Sequence, residues 1–395
     1  MASKKILSAN IAAAETVRLI KPDVIAAYPI TPATSIVEAL ASFCEQGLLK
    51  AEFIPTESEH SAMSALVGAS ATGARTFTAS SSQGILLMHE ILFAAAGMRL
   101  PIVMAVGNRA VNSPLNIWCE HTDSLAQRDT GWIQIYAENN QEVVDSLIMA
   151  YRVAEDKEVL TPAMVCLDGF FLTHTYEPVE IPEEGEIDDF LPPYEPSHAY
   201  LDVENPITQG PVVGPDFYTE VKYIQELGMK NSKKVMEKVH EEFLNCFGRK
   251  YGFIEEYKME DADIAFFTIG SMSSTGKEAV DLLRDRGEKV GLIKLRVFRP
   301  IPDKEIIEVC KDLAGIAVFD RNFGFGSGGI IFSEIKSWLY KKKMHPAIQD
   351  FIIGLGGRDI RLEDFLNAYE IQKEATKKGE YQEIIWLQLK KEMVD

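Results

Sequence analysis

Residues 24–30 (VIAAYPI), 51–56 (AEFIPT), 76–80 (TFTAS), 101–107 (PIVMAVG), 132–137 (WIQIYA) and 162–168 (PAMVCLD) decide the fold. Each is a short apolar run that ends in small or polar residues, and helical stretches such as SAMSALVGASATG, GILLMHEILFAAAG and NQEVVDSLIMAYRVAED separate them. From Asn10 to about Leu172 this alternation is the βα rhythm of a mostly parallel sheet with helices on both faces. A second, smaller α/β run begins near Asp261. There DIAFFTIG, KVGLIKLRVF, AGIAVFD and FIIGLGG predict four strands, separated by the helices GKEAVDLLRDRG, DKEIIEVCKDL and IIFSEIKSWLYKKK. Between the two runs, residues 177–215 hold eight of the 18 prolines and many carboxylates, which predicts an extended connection without helix. The stretch FYTEVKYIQELGMKNSKKVMEKVHEEFLNCFG after it predicts a long helix strapping one domain to the next. The expected division is therefore an α/β domain over 1–176, a connection with its helix over 177–258, and a second α/β domain over 259–395.

A chain of 395 residues is long enough for two or three cores, and 46% hydrophobic with 25% charged residues is ordinary globular composition. Forty basic against 59 acidic residues give a net charge of −19, which repels phosphate backbones and argues against a nucleic-acid partner. The five cysteines, Cys44, Cys119, Cys166, Cys246 and Cys310, form no CxxC or CxH pair, so no metal or cluster site is expected in this chain. No apolar run reaches 18 residues; ILFAAAGMRLPIVMAV is broken by Arg99 and Pro101. With an odd cysteine count and no secretory leader, a cytoplasmic protein without a membrane anchor is expected.

Phosphate-loop patterns are weak. In GSMSSTGK (270–277) five residues separate the glycines where a Walker A loop has four, and Glu278 replaces the magnesium-binding hydroxyl. GFGSGG (324–329) fits GxGxxG between strand and helix, but no acidic residue follows at ribose-binding distance, and a tight strand-to-helix turn explains it as well. GxSxG and HExxH are absent, and His60 and His121 stand alone in loops.

The informative residues lie at the carboxyl ends of the first strands, where open parallel sheets place ligands. Tyr28-Pro29-Ile30-Thr31-Pro32 is a stiff loop that aims the Thr31 hydroxyl. Glu57 and Glu59, two apart, point to opposite sides, so one at most serves a given site, and both also suit a helix N-terminus. Ser80-Ser81-Ser82-Gln83-Gly84 brings backbone amides close to whatever lies above it. Arg109 suits clamping a carboxylate, or a surface salt bridge.

AAYPITPATSIVEAL, PTESEHSAMSALVGASATGARTFTASSSQG, LPIVMAVGNRAVNSPLNIW, HTDSLAQRDTGWIQIYAENNQE, AVFDRNFGFGSGGI and GLGGRD, in that order along the chain, resemble the alpha subunit of the pyruvate:ferredoxin oxidoreductase (pyruvate synthase) family. The resemblance implies a thiamine-diphosphate pyrimidine-binding domain followed by a transketolase C-terminal-like domain. It implies that Glu59, with Tyr28 and Pro29, meets the cofactor, and that Thr31, Arg109 and Asn112 meet a 2-oxoacid. A carboxyl shared with a pyrimidine ring nitrogen favours the imino tautomer, which is the role expected of Glu59. A tight ground-state grip on a carboxylate opposes its departure as carbon dioxide, so Arg109 and Thr31 are expected to position, with Thr31 donating to a developing oxyanion. The family's GDG…N diphosphate motif is missing, the nearest string being Leu167-Asp168-Gly169. Magnesium, [4Fe-4S] clusters and the diphosphate site are accordingly expected from beta, gamma and delta partner subunits, with coenzyme A as co-substrate and ferredoxin as electron acceptor. Two alternatives stand beside pyruvate oxidoreduction. One is a branched-chain relative acting on 2-oxoisovalerate, the loop Ala110–Trp118 shaping that end of the site. The other is a non-catalytic assembly subunit holding a nucleotide at GFGSGG.

Overall fold

The six apolar runs of the first half are neighbours in one sheet of the computed structural model, which describes residues 3–196, 200–341, 344–379 and 384–394. In chain order the strands are β1 (Ser3–Ser8), β2 (Val24–Ala27), β3 (Glu52–Pro55), β4 (Thr76–Ser80), β5 (Val103–Asn108), β6 (Ile133–Tyr136), β7 (Ala163–Asp168), β8 (Tyr176–Ile181), β9 (Ile254–Tyr257), β10 (Ile264–Ile269), β11 (Val290–Leu295), β12 (Val297–Arg299), β13 (Gly315–Asp320), β14 (Ala347–Ile352) and β15 (Ile384–Trp386). The first sheet runs β12-β6-β7-β5-β4-β2-β3, parallel except for β12. The second runs β15-β14-β13-β10-β11-β9, parallel except for β9. β1 and β8 form a separate antiparallel ribbon.

Several elements differ from the sequence reading, each for a physical reason. The run 24–30 leaves the sheet at Ala27, because Pro29 has no N–H for the ladder. Residues 177–215 are not extended throughout. They finish strand β8 and include the helix Glu184–Phe190, whose capping box pairs the Glu183 and Glu186 side chains with each other's backbone. KVGLIKLRVF is two strands rather than one: β11 belongs to the second sheet, and two residues later β12 pairs with β6 of the first. A continuous apolar run carries no information about which sheet takes it. FIIGLGG begins too late for its strand, which is β14, and its glycines form a turn over Leu355–Gly357. The helix expected over IIFSEIKSWLYKKK spans Ile330–Lys341, and Lys342 and Lys343 lie outside the described residues.

The long helix Pro215–Phe247 starts on proline, ends at Gly248 with φ +71°, and buries Met236, Val239 and Phe243 against the first sheet's layer. Its Lys233 pairs with Asp303 beside the second sheet, so it does strap the two halves. One face of the first sheet packs under the helices Ala9–Ile20 and Asn140–Ala154. The other face, through Met104, Trp132 and Tyr136, shares a single apolar core with Phe266, Phe298 and Phe319 of the second half. Ion pairs seal the same junction. Lys294 of β11, fully buried, reaches Glu138 at 2.5 Å, Glu142 at 2.7 Å and Glu255 at 2.5 Å, and those carboxylates hold its pKa above the usual lysine range although burial opposes it.

Candidate active site

In the first sheet the chain order reverses between β2 and β4, the neighbours whose carboxyl ends border the crevice of a doubly wound sheet. Pro32 after β2, Ser81 after β4, Gly107 on β5 and Gly169 after β7 converge there. A Cβ on Gly107 would lie 3.1 Å from Ser81 Oγ and 3.3 Å from Pro32 Cγ, and one on Gly169 would lie 3.0 Å from Pro32 Cγ. Only glycine lets these strand ends approach so closely.

Glu59 follows β3 as the first residue of the helix Glu59–Ala71, which Ser58 caps through Ser61 N–H at 3.3 Å. Its side chain is buried, whereas Glu57 is exposed and bonded to the Ser61 hydroxyl. The carboxyl reaches across to Gly84, where a Cβ would collide with Glu59 Oε1 and lie 2.7 Å from Ser80 Oγ. Burial raises the Glu59 pKa, and only its own backbone amide opposes that shift. A buried carboxyl that among the described residues has no hydrogen-bond partner from another residue, facing a glycine cradle, fits the ring nitrogen of an aminopyrimidine.

Arg109 follows β5 and is buried. Its Nη1 donates to Thr31 O at 3.0 Å and its Nε to Asn116 O at 3.1 Å, so the guanidinium is aimed by two carbonyls and is not a surface ion pair. Burial lowers its pKa, with Asp123 acting the other way. Thr31 is exposed at the crevice and meets Arg109 through its carbonyl. Tyr28 and Pro29 are exposed on the same loop. Asn112 is exposed on the Ala110–Trp118 loop, and among the described residues no side-chain hydrogen bond ties it to Arg109.

The residue that organises this cluster is Asp123, which nothing in the sequence singles out. Its Oδ2 accepts from Ser82 N and Arg109 N, both at 2.9 Å, and its Oδ1 from Asn108 Nδ2 at 2.8 Å and Ser124 N at 2.7 Å. Burial pushes its pKa up to about 6 while those four bonds pull it down. The bond from Ser82 also corrects an expectation: Ser82 sits at φ +47° with its amide turned inward to Asp123, so that amide does not face a ligand.

The second sheet's own crevice lies between β10 and β13, and a side chain of the first sheet fills it. Asp168, at the end of β7, accepts from Ser271 N at 3.0 Å, Ser271 Oγ at 2.5 Å, Arg321 Nη1 at 2.9 Å and His121 Nε2 at 2.7 Å. Burial alone would raise its pKa, but His121 and Arg321 hold it well below the usual carboxylate range. Cys119, His121 and Asp168 have a metal-like donor set, as do Glu138, Glu142 and Glu255. Each group already carries a protein cation, Arg321 in one and Lys294 in the other.

The GFGSGG loop is no freer for an anion. The amides that open the helix Ile330–Lys341 are taken: Gly329 N by Asp350 at 2.7 Å, Ile330 N by Asn322, Ile331 N and Phe332 N by Asp320. A phosphate there would meet two carboxyl groups, which removes the support for nucleotide binding. Burial, then the charge of Asp320, raises the Asp350 pKa from 3.8 to about 8, and among the described residues its buried Oδ1 has no donor, an arrangement that suits one proton shared between the pair. The folded pKa exceeds the unfolded value, so the native state binds the extra proton and stability falls as pH rises through about 4 to 8. In Asp350→Asn, Oδ1 keeps the Gly329 bond and Nδ2 donates to Asp320. Thermal melts should show Tm higher than the parent by about 2–5 °C near pH 9 and little changed near pH 5; an equal change at both pH values contradicts a shared proton.

Comparison with known proteins places this geometry in context. A family model described as pyruvate flavodoxin/ferredoxin oxidoreductase, thiamine diphosphate-binding, matches residues 15–241, and one described as pyruvate:ferredoxin oxidoreductase core domain II matches residues 262–365. Pyruvate synthase subunit PorA of Pyrococcus furiosus is 52% identical over 395 residues, covering 100% of both chains, and that of Methanocaldococcus jannaschii is 51% identical over 99% of each. Ketoisovalerate oxidoreductase subunit VorA of Pyrococcus horikoshii is 49% identical over 98% of each. Among solved structures, 2-oxoglutarate:ferredoxin oxidoreductase from Magnetococcus marinus, with 2-oxoglutarate, coenzyme A and succinyl-CoA bound, superposes with TM-score 0.71 at 19% identity. That likeness covers 93% of this chain and 65% of the other, just under two thirds of its length. A split-gene transketolase superposes with TM-score 0.57 at 12% identity, covering 93% of this chain and 98% of the other. The fold is thus a thiamine-diphosphate-binding domain joined to a transketolase C-terminal-like domain.

Proposed function

The chain belongs to the pyruvate flavodoxin/ferredoxin oxidoreductase family, and from that premise we propose that it is the alpha subunit of a pyruvate synthase, interconverting pyruvate and coenzyme A with acetyl-CoA and carbon dioxide. The observation that carries the reading is the buried Glu59 carboxyl, without a side-chain partner among the described residues, facing Gly84 on the crevice side of the thiamine-diphosphate-binding domain. Thiamine diphosphate, when bound, supplies the carbon nucleophile and the electron sink that decarboxylation of a 2-oxoacid needs. Glu59, with its raised pKa, holds a proton at the ring nitrogen and passes charge to the aminopyrimidine. Arg109, held by the Thr31 and Asn116 carbonyls, keeps N–H groups for the substrate carboxylate. Thr31 borders the same space and donates toward the oxygen at the reacting carbon. Tyr28 and Pro29 line the cofactor side and Asn112 the far end of the substrate.

Asp168, the nearest match to a diphosphate-binding motif, is locked to Ser271 and Arg321, so the diphosphate and its magnesium are assigned to a beta subunit, and clusters and electron exit to the partner chains. The working unit is then a cytoplasmic complex of alpha, beta, gamma and delta subunits that reduces ferredoxin. The pyruvate synthase relatives share somewhat more identical residues with this chain than the ketoisovalerate relatives do, which favours pyruvate over 2-oxoisovalerate. The test is a substrate series on the purified native complex, following coenzyme A-dependent ferredoxin reduction. Pyruvate should give the highest kcat/KM; fastest turnover on 2-oxoisovalerate defeats the assignment, and full activity of this chain alone defeats the division of labour.

A further inference from the structure

We infer that Asn116 is a positioning residue for Arg109, and that the glycine turn Gly354–Gly357 after β14 sets, through Asn116, where the guanidinium points. The inference rests on the reading of Arg109 as the group that binds the 2-oxoacid carboxylate. Arg109 Nε donates to the main-chain oxygen of Asn116 at 3.1 Å while its Nη1 donates to Thr31 O at 3.0 Å, so the Asn116 peptide unit is one of the two carbonyls that aim the guanidinium. Among the described residues the Asn116 side chain makes no hydrogen bond to Arg109; its bonds go to the turn and to its own loop. Its Nδ2 donates across to Gly356 O at 3.1 Å, and its Oδ1 accepts from Trp118 N at 2.8 Å.

The turn is gripped from the same side at three further points. Gly356 N donates to Glu120 Oε2 at 3.1 Å, Gly357 N donates to Cys119 O at 2.8 Å, and the Trp118 side chain fills the space that a Cβ on Gly357 would need. Gly356 and Gly357 lie at φ +60° and +78°, where any other residue is strained, and a Cβ on Gly356 would fall 2.6 Å from Asn116 Nδ2. Beyond this clamp the loop is exposed: Leu115 is 70% exposed, and Asn112, Ser113 and Pro114 are exposed as well. Among the described residues no side-chain hydrogen bond joins Asn112 or Ser113 to Arg109, whereas the turn, more than 200 residues downstream, follows β14 directly and is gripped by Cys119 and Glu120, a stretch that His121 N ties to Arg321 O at 2.9 Å. The second domain thereby sets the first domain's grip on substrate.

A positioning role separates from a structural one in steady-state kinetics of the intact complex. Because Arg109 contributes mainly ground-state binding, Asn116→Ala should raise the KM for pyruvate about tenfold, with kcat and the KM for coenzyme A within about twofold. Gly356→Ala perturbs the same contact from the opposite side and should move the same constant in the same direction. The deciding measurement is a double-mutant cycle with Arg109→Lys, which keeps a charge but loses the Nε donor. If Asn116 acts through Arg109, its effect shrinks to about twofold or less in the Arg109→Lys complex. An undiminished effect there, or an equal rise in both Michaelis constants, overturns the inference while leaving the function of Arg109 intact. If Arg109→Lys itself leaves the pyruvate KM unchanged, it is the substrate-binding reading that fails, and the inference with it.

Discussion

Replacing Glu59 by alanine lowers pyruvate-dependent turnover of the assembled complex by about two to four orders of magnitude, the usual reach of a lost acid–base group. Glu59→Gln gives nearly the same loss, since an amide keeps the volume and an acceptor oxygen but can neither hold nor release the proton. Stability moves differently. The carboxyl is buried at Gly84 and among the described residues has no hydrogen-bond partner from another residue, so its charge is a cost to the fold that the amide does not carry. Its place in the first turn of a helix returns only about 0.3–1 kcal/mol through the dipole. Glu59→Gln should therefore melt at or slightly above the parent temperature near pH 8 while turning over slowly. A helix-capping role predicts the reverse pattern, a lower Tm with activity retained, so one pair of measurements decides between the two roles open to a carboxylate at that position.

Asp123→Ala has the largest expected effect on stability. It strips an acceptor from three backbone amides and the Asn108 side chain at once, in a region with no access to water, and one of the amides holds Ser82 in a left-handed conformation. An unsatisfied buried donor costs about 1–3 kcal/mol; with partial relaxation the total is about 3–5 kcal/mol, or roughly 6–15 °C in Tm. Turnover should fall as well, because the Arg109 backbone loses its anchor. Asp123→Asn is the informative control. Its amide oxygen retains two of the four bonds while its NH2 opposes N–H donors, which predicts a loss close to that of alanine. A melting temperature within about 2 °C of the parent for both variants refutes the claim that this one carboxylate holds the strand ends together.

Much of the candidate site was readable from residue types alone, for a reason visible in the fold. Thr31, Glu59 and Arg109 follow β2, β3 and β5 within about four residues, and in a parallel sheet all strand ends with that polarity lie at one edge, so order along the chain already implies proximity. Asp123 was not readable in this way. It sits in a four-residue helix among HTDSL, where an aspartate is ordinary, and only the folded chain shows that four donors converge on it. Leu167-Asp168-Gly169 was only the string nearest to a missing diphosphate motif, and nothing in it shows what Asp168 does; its partners Ser271 and Arg321 lie 103 and 153 residues away.

The sequence by itself determined the alternation of strand and helix, the two α/β halves, the long connecting helix, and which strand ends share an edge of the first sheet. Those features rest on local terms, the apolar period and the turn chemistry of proline and glycine, which act within one element. Only the tertiary structure decided that β12 crosses to the first sheet, that the short polar strands β1 and β9 pair at all, that the second sheet's crevice is closed by Asp168, and that Asn116 is bonded to the turn Gly354–Gly357. Each of these is a choice of partner for a hydrogen-bonding group, and a buried donor or acceptor is satisfied by whatever the packing brings within about 3 Å, however distant in sequence.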